Sequence, residues 1–219
     1  MKNTFYTYIF ISFCLQLTAQ SIFEEIPKNP DATQTYVFYL HGGIVQDQGA
    51  NAISPYYGEY DYLGILNTLK QKGFHVISEV RPKDTQEKAY AKKLKSQIEV
   101  LLNYGIPEDQ IIILGASLGA YIAMETSIIL KNSEIRYVIL GLCSDYALNY
   151  FSEFKDSLYG NFLSIYERSD SKGKCESLFQ EKSTHYNFKE IELNMGIDHA
   201  FLYKPYREWV EPFMKWSKD

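Results

Sequence analysis

One serine flanked by glycines, in Gly115-Ala116-Ser117-Leu118-Gly119, is the segment of this chain best suited to covalent chemistry. It follows directly on the β-branched run Gln110-Ile111-Ile112-Ile113-Leu114 and opens a helical stretch. That context places the hydroxyl on a sharp strand-to-helix turn. Small neighbours let the two backbones approach there, and a helix N-terminus favours negative charge developing beside the hydroxyl. The chemistry implied is nucleophilic attack by Ser117. The competing reading is a glycine-rich turn without catalysis, as in dinucleotide-binding folds, where the glycine spacing differs.

A serine hydroxyl needs a base, and the chain has 4 histidines: His41, His75, His185 and His199. His75 lies within an apolar run and reads as core. His185 precedes the last strand, at its wrong end, and reads as surface. His199 sits in Gly196-Ile197-Asp198-His199-Ala200-Phe201, a loop after the final strand, which puts it at the same edge as Ser117. The base in turn needs a carboxylate to orient it. Asp170, just past the strand that ends near Tyr166, is the preferred acid. Glu167 and Asp145 are its rivals, and Asp198 reads as a solvated or capping residue.

These groups must be carried by strand ends. Strands are expected at Tyr36 to Leu40, Phe74 to Val80, Gln110 to Leu114, Arg136 to Leu142, Phe162 to Tyr166 and Phe188 to Leu193. Helical spacing marks Tyr62 to Lys72, a long helix starting near Asp84 to Glu87, another from Ala120 to Leu130, and a last one around Tyr206 to Ser217. Residues 44–60 read as one long loop. Strands alternating with helices imply an α/β fold, a doubly wound, mostly parallel sheet with helices on both faces.

On these residues the chain resembles the α/β-hydrolase superfamily. A strand ending in His41-Gly42-Gly43, a nucleophile turn at Ser117, an acid at Asp170 and a base at His199 stand in that family's order, and the resemblance covers nearly all of residues 21–219. It implies an oxyanion hole made by the backbone N–H groups of Leu118 and of Gly43 or Ile44, with His41 holding that loop rather than acting as base. The short stretch between Leu142 and Phe162 leaves no room for a helical cap, so a small, capless hydrolase is expected. Tyr56, Tyr57 and Tyr60 are then candidates for a pocket wall. Arg81 is expected either to meet an acidic substrate group or to pair at the surface with Asp84 or Glu79.

The resulting expectation is a serine hydrolase for a small-molecule acyl substrate, preferably a carboxylic ester. Peptidase, amidase or acyltransferase chemistry on the same three residues, and a non-catalytic envelope binding protein, are the alternatives. No metal is expected, since the chain has neither H-E-x-x-H nor a close histidine pair, and no cofactor is implied.

Composition agrees with one globular domain: 219 residues, 46% hydrophobic and 22% charged, with 13 Gly, 7 Pro and 3 Cys. That composition excludes disorder and disulfide-dense mini-scaffolds. The net charge of -5 comes without an extended Lys/Arg face, so nucleic acid is not an expected partner. Met1-Lys2-Asn3 followed by an apolar run from Phe5 to Leu17 reads as a signal peptide over residues 1–20, against the competing reading of a buried N-terminal helix. The expected location is therefore periplasmic or secreted, with lipidation at Cys14 ranked lower. No later run is long enough to span a membrane. Export would leave Cys143 and Cys175 in an oxidising compartment, either as one disulfide or as two free thiols.

Overall fold

The computed structural model describes residues 22–179 and 183–219. The leader expected over residues 1–20, with Cys14, lies outside the described residues. In chain order the elements are β1 (Ile22–Phe23), β2 (Tyr36–Leu40), α1 (Gly43–Gln48), β3 (Ile53–Ser54), β4 (Gly58–Glu59), α2 (Tyr62–Gln71), β5 (His75–Ile77), α3 (Glu87–Asn103), β6 (Ile111–Ala116), α4 (Leu118–Leu130), β7 (Arg136–Leu140), α5 (Asp145–Ser152), β8 (Gly160–Glu167), β9 (Tyr186–Leu193) and α6 (Arg207–Trp216).

Seven strands form one sheet in the order β1-β5-β2-β6-β7-β8-β9, every neighbouring pair parallel. Alternation along each strand feeds two apolar layers. Phe38, Ile113, Ile139 and Phe162 pack with α3, α4 and α5, whereas Val37, Leu114, Val138 and Leu163 pack with α1, α2 and α6. Helices thus cover both faces, as a parallel sheet requires. Strand β6 is buried throughout, because β2 and β7 pair with its two edges and helices lie above and below. Each of its three isoleucines contributes roughly 1.5 to 3 kcal/mol of burial. Edge strand β9 is instead half exposed, with Lys189, Glu190 and Glu192 interrupting its apolar positions, a pattern that discourages edge-to-edge pairing.

Two stretches differ from the expectation. Residues 44–60 are not a plain loop: α1 starts at Gly43, and β3 and β4 form a short antiparallel hairpin. A helix of six residues is too short for its periodicity to show in sequence. The stretch after β7 holds α5, capped by the Ser144 hydroxyl and buried through Ala147 and Phe151. It packs into the core beside α4, where Tyr121 and Phe151 meet with ring centroids 4.7 Å apart. No helix among the described residues is long and apolar enough to cross a membrane.

Candidate active site

Ser117 joins β6 to α4 with φ 52° and ψ −113°, a left-handed conformation rare for any side chain but glycine. Its flanking glycines are sterically required. A Cβ on Gly115 would lie 2.4 Å from the Gly119 carbonyl oxygen, and one on Gly119 would lie 1.9 Å from the Leu40 oxygen. The turn is thus wedged between α4 and the end of β2, and Ser117 N–H donates to Leu140 O at 2.9 Å. Strain of this kind persists only where surrounding structure over-determines it, and it clusters at functional sites.

The loop after β2 lies against the same turn. His41 is fully buried. Its Nδ1 bonds Gly42 O at 2.9 Å, so that nitrogen carries the proton, and its Nε2 accepts from Arg81 N–H at 2.9 Å. Burial, followed by the Arg81 charge, lowers its pKa to about 3, which keeps the imidazole neutral. Arg81 differs from both expectations. It is buried, its Nη2 donates to His41 O at 2.5 Å and its Nε to Gln46 Oε1 at 3.0 Å. It braces the loop from beneath and is neither a surface residue paired with Asp84 or Glu79 nor exposed to a substrate. A short apolar strand followed by Arg reads equally well as a surface turn, so the sequence carried no signal for this burial.

His199 lies just after β9, in a turn over Asp198–Leu202. Its Nδ1 meets Asp170 Oδ2 at 2.5 Å. The Asp170 side chain is 1% exposed and that of His199 is 12%. Burial pushes the Asp170 carboxyl up, but the His199 hydrogen bond and charge, together with the Lys172 backbone N–H, more than offset it and hold its pKa below the ordinary value. Lys172 N–H donates to Asp170 Oδ1 at 3.0 Å. Asp145 is exposed in the first turn of α5, while Glu167 turns inward to bind backbone N–H groups of Met195 and Gly196. Asp170 alone of the three rivals meets the imidazole. Asp198 is the first residue of that turn rather than its cap, its carboxylate accepting from His199 N–H at 2.8 Å. His75 is buried in β5 and His185 is exposed beside Tyr159.

Two cavities flank Ser117. One, about 430 Å³, is bounded by Gly43, Ile44, Ser117, Leu118 and His199. The other, about 280 Å³, has Leu142, Tyr121, Tyr146 and Ala147 as its walls and also reaches Ser117 and Leu118. A larger concavity, about 770 Å³, opens at β9 among Tyr166, Glu190 and Glu192. It contains none of the chemistry-bearing residues, so size does not locate the site. Among the tyrosines expected as a wall, Tyr60 borders the His199 cavity with its ring, while its hydroxyl is buried against that of Tyr39 at 2.6 Å. Tyr57 lies 6.4 Å from the His199 ring. Tyr56 is 87% exposed and lines neither cavity, because the β3–β4 hairpin turns it outward.

Two further features shape the site, the first without a counterpart in the sequence reading and the second one of its two alternatives for the cysteine pair. Gly141 follows β7 at φ 57°, and a Cβ there would stand 3.2 Å from His199 Cε1; its signal was only a glycine after a strand. Cys143 and Cys175 form a disulfide with Cα atoms 5.3 Å apart. With the Cys143–Gly173 bridge, it fastens the loop carrying Asp170 and Lys172 to the wall of the smaller cavity.

No protein-family model matches the chain, and no curated protein matches it by sequence. Solved structures do. An esterase of Pyrococcus furiosus is similar at 16% identity and TM-score 0.54, over 86% of this chain and 84% of that one. An alpha/beta hydrolase enzyme from the metagenome of Mar Chica lagoon sediments, Morocco, is similar at 18% identity and TM-score 0.52, over 84% and 91%. Est1E from Butyrivibrio proteoclasticus, solved with ferulic acid bound, is similar at 12% identity and TM-score 0.53, over 89% and 90%. At such identities the likeness concerns the fold.

Proposed function

The chain has the α/β-hydrolase fold, and on that scaffold we propose a serine hydrolase of small carboxylic esters. The observation that carries this reading is the His199–Asp170 pair, 2.5 Å apart, with His199 bordering the cavity that the strained Ser117 also lines. Ser117 Oγ attacks the acyl carbon while His199 Nε2 takes its proton. Asp170 keeps Nδ1–H directed at itself and stabilises the imidazolium that forms. The oxyanion meets the N–H groups of Leu118 and of Gly43 or Ile44. These are first-turn amides of α4 and α1, which have no partner inside their own helices, and each such donor contributes about 3 to 4 kcal/mol where measured. His199 then protonates the leaving alkoxide, and water repeats the sequence to free the acid.

Cavity chemistry supports one placement for the two halves of the substrate. The leaving group must receive its proton from His199, so it occupies the 430 Å³ cavity that His199 borders. The acyl chain takes the 280 Å³ cavity, walled by Leu142, Ala147 and tyrosine rings. Esters are favoured over amides because their leaving groups demand less of the acid. The Cys143–Cys175 disulfide suits an oxidising compartment, which supports export directed by residues 1–20.

A fluorophosphonate probe tests the reading on purified protein. Wild type should label, and Ser117→Ala should neither label nor turn over aryl esters, with kcat down about 10⁶-fold. Wild type that stays unlabelled and inert on an ester panel would leave a binding protein on a hydrolase fold.

A further inference from the structure

Glu167 closes β8 with its side chain fully buried, on the face where Leu163 and Ile165 belong to the apolar core. Among the described residues no lysine or arginine forms a salt bridge with it. Backbone and hydroxyl donors surround it instead. Met195 N–H donates to Oε2 at 2.9 Å, while Oε1 accepts Gly196 N–H at 3.1 Å, Ser169 Oγ–H at 3.1 Å and Ser169 N–H at 3.4 Å. Burial pushes the carboxyl up, but the Met195, Gly196 and Ser169 donors outweigh it and hold its pKa below the ordinary value.

Both partners of the His199–Asp170 pair are connected to this one residue, the acid through its backbone and the base through its side chain. On the acid side, Asp170 N–H closes a turn onto the Glu167 carbonyl at 3.0 Å. On the base side, Ser169 Oγ, donating to Glu167, accepts Asp198 N–H at 3.0 Å, and the Asp198 carboxylate accepts His199 N–H at 2.8 Å. The connected backbone is unfavourable by itself at Asp198, whose φ is 55°. A residue such as Asp198 keeps that conformation only when its surroundings impose it.

We infer that Glu167 is a positioning residue for the hydrolase proposed above, its buried carboxylate tying the strand end that delivers Asp170 to the loop that delivers His199. The inference rests on the Ser117–His199–Asp170 reading. It explains why an acid stands where an apolar side chain would suit the core: two consecutive backbone N–H groups must be gathered there, and only an acceptor can gather them. Glu167 acts through His199 and Asp170 and touches no reacting atom.

Glu167→Gln is the discriminating variant, since it keeps the shape but directs an amide N–H at a backbone donor. Fluorophosphonate labelling should slow about 100-fold, the loss expected for a displacement near 1 Å. The kcat should fall with it while KM for an aryl ester stays within about threefold. The low-field proton resonance of a His–Asp hydrogen bond, present in wild type, should disappear, whereas a purely structural role for Glu167 would leave it in place. If Glu167→Gln fails to fold, Ser169 decides: Ser169→Ala should label about tenfold more slowly and Ser169→Thr should recover at least half of that loss. Wild-type labelling rate and an intact resonance in Glu167→Gln, or equal rates for the two Ser169 variants, overturn the inference and leave the hydrolase reading standing. Wild type that itself neither labels nor turns over removes the reading beneath it.

Discussion

The two halves of the site are held by different physics. At the Ser117 turn, position is imposed by backbone sterics: glycines at 115 and 119 admit a strand–helix approach that any Cβ would block, and a left-handed serine results. At the His199–Asp170 edge, position is imposed by side chains reaching across loops. Glu167 gathers amides 28 and 29 residues away, and Asp170 meets an imidazole 29 residues away. The first half is local in sequence and intolerant of added volume. The second is assembled from distant segments and sensitive to the loss of single acceptors.

The comparison can be broken most sharply at Asp170. Asp170→Asn should lower kcat about 10⁴-fold while thermal unfolding changes little, because an amide no longer enforces the tautomer. Asp145→Asn, exposed in α5, should remain within twofold in the same ester assay. Comparable losses in both would overturn the selection of Asp170 over Asp145.

Gly119→Ala attacks the other half. Its Cβ would fall 1.9 Å from a backbone oxygen of β2, and backbone cannot yield as a side chain can, so a loss of more than about 4 kcal/mol is expected in chemical denaturation. A soluble variant with near-normal stability would show the turn to be more pliant than these contacts imply.

The disulfide gives a third comparison, since it restrains only the acid side. Closing a span of 32 residues, it should contribute about 3 to 4 kcal/mol. The Cys143→Ser/Cys175→Ser double variant should therefore unfold at lower denaturant concentration, and the remaining activity should be lost first through Asp170 rather than Ser117. Free-thiol titration of denatured wild type should find none from this pair.

The smallest expected effect concerns His41 in the loop after β2. Its unfolded form takes up a proton near 6.5, but the folded form only near 3. Between those values the unfolded state binds more protons, so stability falls as pH is lowered. The change from pH 6.5 to 5 is roughly 2 kcal/mol. His75, also lowered by burial, adds in the same direction. Asp170 and Glu167, lowered as well, lose their contribution at more acidic pH, through the carboxylate range. Stability curves of His41→Gln should be flatter than wild type from pH 6.5 to 5; parallel curves would refute a neutral buried His41.

Legibility followed the same division. The run Ile111-Ile112-Ile113-Leu114, the turn at Ser117 and the helix after it could be read directly, because burial on both faces and close backbone approach each demand particular residues within a short window. Asp170 could be preferred but not separated from Glu167, since two acids at one strand end differ only in which way they face. Tyr56 and Tyr60 are equivalent by sequence, yet a two-strand hairpin sends one outward and the other buries its hydroxyl against Tyr39. Arg81 gave no local sign of the loop it supports.

By itself, the order of residues in this chain determined the alternation of strand and helix, the place of the strained turn at Ser117 and the sheet edge at which His199 and its candidate acids gather. These follow from periodicity, glycine sterics and the direction of parallel strands. Tertiary structure alone decided which acid meets His199, that Glu167 gathers the base loop, that Arg81 is interior, and that Cys143 reaches Cys175. Those outcomes depend on distances between segments far apart in the chain, which no local pattern encodes, and on a buried carboxylate keeping its charge only where enough N–H groups converge upon it.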